Sequence, residues 1–161
     1  MSSQPLPVRI GLISDTHGLL RPGVFDRFEG VLRILHAGDV GSVDILVELE
    51  AIAPVTAVYG NTDGWAMRER LPEVAEVEEA GRRIVVVHGH DPGSPTPAKL
   101  AAAHAGADIV VYGHTHRPRV ERVGRTLVVN PGAAGPARFQ LKPSVAVLVL
   151  GEDARVEVLE L

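Results

Sequence analysis

Seven side chains that can bind a metal ion stand just after short apolar runs that are typical of β-strands. They are aspartate, asparagine and histidine residues, namely Asp15, His17, Asp39, Asn61, His88, His114 and His116. In open α/β sheets, ligands bind just beyond the carboxyl ends of the strands. If these strands share one edge, the seven side chains converge on one spot. Such a cluster, with carboxylate, amide and imidazole donors and no thiol, is typical of a divalent-metal hydrolase.

Two histidine pairs are the most specific part of this pattern. His88-Gly89-His90 and His114-Thr115-His116 each place two imidazoles on the same side of an extended backbone, because side chains alternate along a strand. A buried imidazole needs hydrogen-bond partners, so four of them at strand ends are difficult to explain by packing alone. A single Asp-Thr-His or Asn-Thr-Asp-Gly, by contrast, would be an ordinary turn.

The composition narrows the class of protein. The chain has 161 residues, a net charge of −4 and 45% apolar residues, which suits a single domain over residues 1–161. Proteins that bind the nucleic-acid backbone are usually basic, so nucleic acid is not the expected partner. The absence of cysteine excludes disulfides, thiolate zinc sites and a cysteine nucleophile. The first ten residues lack the pattern of a signal peptide, and no apolar run is long enough to span a membrane, so a cytoplasmic location is predicted.

The first 60 residues alternate between strand and helix patterns. Strands are predicted over residues 8–13, 31–36 and 55–59, and helices over residues 22–28 and 43–53. Ser42 and Pro54 supply the start and the end of the second helix. This β-α-β-α-β order is typical of a parallel sheet covered by helices.

The second half of the chain has the pattern of hairpins. Strand pairs are predicted to meet at residues 80–81, 124–125 and 151–153, a further strand spans residues 108–112, and a helix begins at Thr96-Pro97. Residues 1–6 are expected to form a loose tail and residues 90–97 a loop. Nine or ten strands are too many for one small parallel sheet, so two stacked sheets flanked by helices are predicted.

The order of the motifs carries a family resemblance. The motifs are Asp15-x-His17, Gly38-Asp39, Gly60-Asn61-x-Asp63, His88-Gly89-His90, Gly113-His114-Thr115-His116 and Asn130-Pro131-Gly132. In this order the sequence resembles the calcineurin-like metallophosphoesterase family, and most closely its small prokaryotic phosphodiesterase branch. The resemblance implies the α/β (α+β) fold of that family, a four-layer αββα sandwich of two mixed β-sheets flanked by helices.

The resemblance also implies a site for two divalent metal ions. The first ion would be held by Asp15, His17, Asp39 and His116, and the second by Asp39, Asn61, His88 and His114, with Asp39 as the bridge. This mixture of oxygen and nitrogen donors suits Mn, Fe, Zn, Co or Ni, and manganese is the main expectation. A hydroxide between the ions would attack phosphorus in line.

Three residues are expected to take part in catalysis, namely His90, Asp39 and Asn61. His90 lies two residues after a ligand, and it is the candidate for donating a proton to the leaving oxygen. Thr62 stands where many larger family members carry a histidine that assists phosphate binding, so a small phosphodiester or nucleotide-like substrate is expected. Asp63 is expected to orient a ligand histidine. Weaker candidates for contacting the phosphate are Arg21, Arg68 and Arg117.

Two alternatives to a metal-dependent phosphodiesterase stay open. The retromer scaffolding subunit looks like a member of this fold used for protein contacts, which suggests a catalytically weak scaffold or binding module. Proteins of that kind tend to lose metal-ligand histidines, whereas this sequence keeps all of them. A nuclease or phosphomonoesterase is the other alternative, and self-association into a homo-oligomer is left open.

Overall fold

Ten strands and four helices form the described part of the computed structural model, which covers residues 6–90 and 93–161. The tail predicted over residues 1–6 and the loop predicted over residues 90–97 lie partly outside these ranges. None of the helices in these ranges has the length and apolar character needed to cross a bilayer. In chain order the elements are β1 (Val8–Ile13), α1 (Gly23–Arg27), β2 (Arg33–His36), α2 (Val43–Glu50), β3 (Val55–Ala57), α3 (Trp65–Arg70), β4 (Val74–Glu79), β5 (Arg82–Val87), α4 (Pro97–Ala103), β6 (Ile109–Val111), β7 (Arg119–Val123), β8 (Thr126–Asn130), β9 (Ser144–Leu150) and β10 (Ala154–Glu160).

The first sheet has the strand order β10-β9-β1-β2-β3. Its strands β1, β2 and β3 pair in parallel, as the pattern of the first 60 residues predicts, and β9 and β10 add an antiparallel hairpin. Parallel neighbours need a crossover connection, which α1 and α2 provide. The carboxyl ends of the three parallel strands therefore lie at the same edge of the sheet.

The second sheet has the strand order β4-β5-β6-β8-β7. Strands β5, β6 and β8 are parallel, and an antiparallel hairpin closes each side of the sheet. The β4–β5 hairpin turns through Ala80 and Gly81, which both have positive φ, as in a type I′ turn. All three predicted hairpins are confirmed, and both sheets are mixed.

The two sheets pack face to face, and helices cover both outer faces. The central core joins side chains of both sheets, among them Leu12, Leu35, Ile84, Val111 and Leu148. A second cluster packs α1, α2 and α3 on the first sheet, and a third packs α4 on the second sheet. These four layers confirm the predicted αββα sandwich.

Capping residues explain where α2 and α4 begin. Ser42 Oγ accepts a hydrogen bond from Asp44 N at the start of α2, and Thr96 Oγ1 accepts one from Lys99 N at the start of α4. Helix α3 was not predicted, because Gly64 precedes it without a side-chain cap and only Met67 is buried on it. The predicted helices α1, α2 and α4 are confirmed, and each is shorter than predicted.

Candidate metal centre

The parallel strands of both sheets end at one place, and the predicted metal-binding side chains meet there. Asp15 Oδ1 lies 3.3 Å from Nε2 of His116, 3.7 Å from Nε2 of His17 and 3.9 Å from Nε2 of His88. These residues follow β1, β5 and β6, so both sheets contribute to the cluster.

The three remaining predicted residues extend the cluster. Asp39, which follows β2, has its Oδ2 atom 3.3 Å from His88 Nε2 and 3.8 Å from His17 Nε2. Asn61 Oδ1 lies 3.0 Å from His88 Nε2 and 3.1 Å from His114 Nδ1. The structure therefore brings all seven predicted side chains into one continuous cluster.

Each aspartate of the cluster uses one oxygen to bond the protein and turns the other toward the imidazoles. Asp15 Oδ2 accepts hydrogen bonds from Ser14 Oγ at 2.6 Å and from His114 N at 3.1 Å. Asp15 Oδ1 is buried and has no hydrogen-bond partner among residues 6–90 and 93–161. Asp39 Oδ1 likewise accepts from Thr62 N at 2.9 Å. A buried carboxylate oxygen without a partner is costly, and a cation between it and the imidazoles would satisfy it.

Two groups of donor atoms are compact enough to hold a metal ion. The ligand atoms of Asp15, His17 and His116 all lie within 4.8 Å of one another, and so do those of Asp15, Asp39 and His88. Asp15 is common to both groups, and Asp39 Oδ2 approaches a histidine of each. Oxygen and imidazole donors in this combination fit a divalent ion such as Mn, Fe or Zn.

Burial and mutual contact shift the pKa values in the cluster. Burial alone raises the pKa of Asp15, but the imidazoles of His116, His17 and His88 outweigh it and hold this pKa well below its usual range. Burial lowers the pKa of His88, yet the carboxylates of Asp39 and Asp15 bring it above its ordinary value. The carboxylate of Asp15 is therefore ionised at neutral pH, which is the state that binds a cation.

The orientation of His88 is set by the backbone. Its Nδ1 atom lies 2.8 Å from the carbonyl oxygen of Ala37, and because a carbonyl can only accept, this nitrogen donates. In the neutral imidazole the lone pair of Nε2 is then directed toward Asp39 and Asn61. A hydrogen bond of this kind is how proteins orient metal-binding histidines.

The prediction of an extended backbone at His114-Thr115-His116 is wrong, because the backbone of the cluster occupies the left-handed region that most residues avoid. Its φ angle is positive at five of the seven positions, with 54° at Asp15, 46° at His17, 55° at Asp39, 73° at His114 and 63° at His116. Such a conformation costs of order 1–3 kcal/mol at each non-glycine residue, and outside turns it clusters at functional sites. The surrounding fold therefore holds these side chains in place against local preference.

The cluster opens into a cleft of about 210 Å³. Two residues of its lining, Arg138 and Phe139, come from the segment between β8 and β9 and were not predicted. The sequence offers only a weak signal for them, a cation and an aromatic residue in a loop. The other lining residues come from the predicted motifs and are His17, Asp39, Asn61, Thr62, His114 and His116.

Comparison with known proteins decides the family. Residues 8–153 match the model of the calcineurin-like phosphoesterase superfamily domain. The chain belongs to the calcineurin-like phosphoesterase superfamily. The resemblance predicted from the order of the motifs is thereby confirmed, and membership of this metallophosphoesterase family implies divalent metal cofactors.

Individual relatives agree with this family. A probable metallophosphoesterase of Methanothermobacter thermautotrophicus is 36% identical over 159 residues, which cover 93% of this chain and 91% of that protein. A phosphodiesterase of Methanocaldococcus jannaschii is 32% identical over 142 residues, which cover 78% of this chain and 83% of that protein. The structure of Vacuolar Protein Sorting 29 from Cryptosporidium parvum shares the fold, with a TM-score of 0.80, 23% identity and coverage of 98% and 99% of the two chains.

In this member of the phosphoesterase superfamily, Asp63 connects two loops. Its carboxylate accepts hydrogen bonds from Val40 N at 3.2 Å, Gly41 N at 3.0 Å and Gly60 N at 2.8 Å. The prediction that Asp63 orients a histidine is therefore wrong, because backbone amides occupy both of its oxygens. Its effect on the cluster is to hold the loops after β2 and β3 side by side.

Two of the arginines considered for phosphate binding are held by backbone carbonyls instead. Arg68 donates from Nε to Asp63 O at 2.9 Å and from Nη2 to Asn61 O at 3.2 Å. Arg21 donates from Nε to Gly135 O at 3.1 Å. Both side chains brace loops beside the cluster, a role that the sequence did not indicate.

His90 lies beside the cluster but is not among the described residues that line the cleft. Its ring centre is 5.5 Å from that of His88 and 6.4 Å from that of Tyr59. It lines a neighbouring pocket of about 190 Å³, together with His88 and His104. A catalytic role of His90 therefore stays a prediction.

His36 is a buried, hydrogen-bonded histidine below the cluster. Gly38 N donates to its Nδ1 at 3.1 Å, so Nε2 carries the hydrogen and donates to Thr16 Oγ1 at 3.0 Å. Thr16 Oγ1 in turn donates to Val40 O at 2.8 Å. Burial lowers the pKa of His36 to about 4, against the opposing effect of nearby carboxylates. The neutral ring thus connects the loops after β1 and β2.

Asn130 positions the loop after β6. Its Nδ2 atom donates to Gly113 O at 3.1 Å and to Thr115 Oγ1 at 3.0 Å, and its Oδ1 atom accepts from Gly132 N at 2.9 Å. The side chain is fully buried with its amide satisfied. The sequence connected Asn130 with the family through Asn-Pro-Gly, but it did not indicate this bracing of the histidine loop.

Proposed function

We propose that this protein is a metal-dependent phosphodiesterase that hydrolyses small phosphodiesters at a centre of two divalent ions. The observation that carries the proposal is the pair of aspartates, Asp15 and Asp39, each with one oxygen bonded to the protein and the other turned toward histidines. Membership of a phosphoesterase family supports hydrolysis, and the phosphodiesterase among the relatives supports a diester substrate.

The proposed ligands divide into two overlapping sets. Asp15, His17, Asp39 and His116 hold one ion, and Asp39, Asn61, His88 and His114 hold the other. Asp39 Oδ2 lies within 3.8 Å of one histidine from each set, which suits a carboxylate shared by both ions. The donor atoms suit Mn, Fe, Zn, Co or Ni, and manganese stays the main prediction.

Both the bound ions and the residues of the chain contribute to the proposed reaction. Bound divalent ions act as Lewis acids and lower the pKa of water from 15.7 to about 7, so hydroxide is available near neutral pH. The chain fixes the donors, since Thr62 N holds Asp39 and Ala37 O holds His88. His90 is the proposed proton donor to the leaving oxygen. Thr62 cannot supply the positive charge of a histidine to a dianionic monoester, which favours diesters.

Hydrolysis of bis(4-nitrophenyl) phosphate tests the proposal. The full chain is stripped with a chelator, dialysed and assayed before and after addition of each of the five metals. We expect turnover only with metal, and elemental analysis should find two equivalents of metal per chain. Failure of every metal to support turnover would contradict the proposal.

The matched variants are Asp39→Asn and Asp153→Asn. Asp39→Asn weakens the shared ligand, so turnover should fall by more than the roughly 10–100-fold that loss of an outer-shell partner costs. Its metal content should drop toward one equivalent. Asp153 lies in the exposed β9–β10 turn, and its variant should retain wild-type values. Unchanged metal content in Asp39→Asn would count against the ligand assignment.

A scaffold or binding module is the second candidate. The fold shared with Vacuolar Protein Sorting 29 favours it, but that likeness concerns the fold alone. The complete donor set in this chain favours the enzyme. A chain that folds without metal and hydrolyses neither diesters, monoesters nor single-stranded DNA would be assigned to the scaffold class. A single domain over residues 1–161, a cytoplasmic location and a homo-oligomer stay predictions.

A further inference from the structure

Phe139 is an exposed aromatic side chain at the rim of the metal cleft. It is 76% exposed, and its ring centre lies 6.4 Å from that of His116, with 63° between the planes. Among the described residues that line the cleft it is the one phenylalanine, tyrosine or tryptophan. Single exposed apolar residues are common, so the exposure alone implies nothing. What distinguishes Phe139 is its position beside His116, a candidate metal ligand.

The backbone holds Phe139 in an unfavourable conformation. Phe139 and Gln140 have φ angles of 55° and 61°, and Leu141 N donates to Arg138 O at 2.9 Å, which is the pattern of a type I′ turn. Asn-Gly is the preferred pair in such turns, because these residues tolerate positive φ. Phenylalanine therefore adds strain here without adding a buried side chain to the core. The turn instead presents the ring at the cleft, beside His116.

We propose, on the basis of the function proposed above, that Phe139 provides a stacking surface for an aromatic group of the substrate. An aromatic ring stacks on such a surface whatever its substituents, because every ring has a π face. A phosphate at the cluster would lie beside His116, so an aromatic group joined to it reaches the Phe139 ring. The substrate class is thus phosphodiesters that carry an aryl group or a nucleobase.

Binding of two matched pairs of phosphates tests this role. The pairs are phenyl phosphate with methyl phosphate, and adenosine 5′-monophosphate with ribose 5-phosphate, so the members of each pair differ in the aromatic group. Calorimetry on the full, metal-loaded chain should show about tenfold tighter binding of the aromatic member in at least one pair. The pair that shows the preference identifies the aromatic group as aryl or nucleobase.

Phe139→Asn is the decisive variant. Asparagine tolerates positive φ, so the turn should persist, and elemental analysis checks that the metal content is unchanged. The preference for the aromatic member should fall to about one, while the methyl phosphate affinity stays the same. Phe25→Ala, which removes an exposed phenylalanine of α1 outside the cleft lining, should keep the preference.

Two outcomes would overturn the stacking role. The first is that Phe139→Asn still binds the aromatic member of a pair more tightly. The second is that a wild-type chain that hydrolyses bis(4-nitrophenyl) phosphate binds both members of each pair with equal affinity. The proposed function fails separately, in the hydrolysis assay, if the wild-type chain turns over no diester with any metal.

Discussion

Three side chains of the cluster share one arrangement, in which a bond to the protein on one side directs a donor atom on the other. Asp15 Oδ2 is held by Ser14, Asp39 Oδ1 by Thr62 N, and His88 Nδ1 by Ala37 O. Because each bond fixes a side-chain rotamer, the opposite atom needs little reorganisation to bind an ion. The geometry of the cluster is therefore set residue by residue, by bonds within the protein.

Replacement of His90 tests the proton donor at this scale. His90→Ala should lower kcat roughly 10²–10⁴-fold for a diester with an alkyl leaving group, because general acids typically contribute that much. The loss should be smaller for bis(4-nitrophenyl) phosphate, whose leaving group needs little protonation. Kinetics on both substrates and elemental analysis provide the measurement.

The control for His90→Ala is His104→Ala, since both histidines line the same neighbouring pocket. His104→Ala should retain activity on both substrates. Equal losses on the two diesters would argue against proton donation by His90, and loss of metal would make His90 a ligand instead.

At the scale of elements, the loops after the parallel strands are brought together by close backbone approach. A Cβ atom added at Gly60 would overlap with Asp39 Oδ1, and one added at Gly113 would overlap with Ser14 Oγ and approach Asp15 Oδ2. Each glycine thus lets the loop of one strand pack directly against an aspartate that follows another strand. Even the smallest side chain at Gly60 or Gly113 would push these strand ends apart.

Gly60→Ala tests this packing of loops. The new methyl group should displace Asp39, destabilise the fold by about 1–3 kcal/mol and reduce metal binding. Urea unfolding and elemental analysis measure the two effects. Gly64→Ala is the matched control, because within the described residues no atom other than those of its chain neighbours lies within 4 Å of its added Cβ, and its φ of −75° suits alanine. Normal metal content in Gly60→Ala would show that the loops tolerate separation.

At the scale of the whole molecule, the sandwich buries ionisable groups at one end between its layers. Asp15 and His36 have no exposed surface, and His88 and Asp39 have 1% and 2%. His36 stays neutral when folded, with a pKa of about 4 against an ordinary value of 6.5. Unfolding therefore takes up a proton between these values, and stability falls as the pH drops through this window.

Substitution of His36 tests this dependence on pH. From these pKa values, protonation of His36 on unfolding should make the free energy of unfolding of the metal-free wild-type chain about 2 kcal/mol lower at pH 5 than at pH 7. Glutamine cannot take up this proton. The free energy of unfolding of His36→Gln should therefore fall less over the same pH interval, by about that amount. Urea unfolding of both chains at several pH values makes the comparison. Parallel pH profiles would mean that His36 is protonated in the folded state.

Much of the architecture could be predicted because it follows from local patterns. Apolar runs, turn residues and helix caps indicated two stacked sheets, the hairpins and three of the helices, and the strand ends indicated the seven clustered residues. Helix α3 was not predicted because its start has neither a capping side chain nor a proline, and because it buries only Met67. The boundaries also shifted where tertiary contacts, rather than propensity, end an element.

The sequence by itself determined which donor groups the chain carries and that they follow strands, because residue type and strand period are local properties. Tertiary structure alone decided that Asp63 accepts hydrogen bonds from the backbone amides of Val40 and Gly41, which precede it by 23 and 22 residues. It also decided that Asn130 holds the loop that carries His114 and His116. It also decided that Phe139 stands beside His116 in the cleft. Hydrogen bonds and cleft walls join residues that only the packing of two sheets brings together, so no short stretch of sequence encodes them.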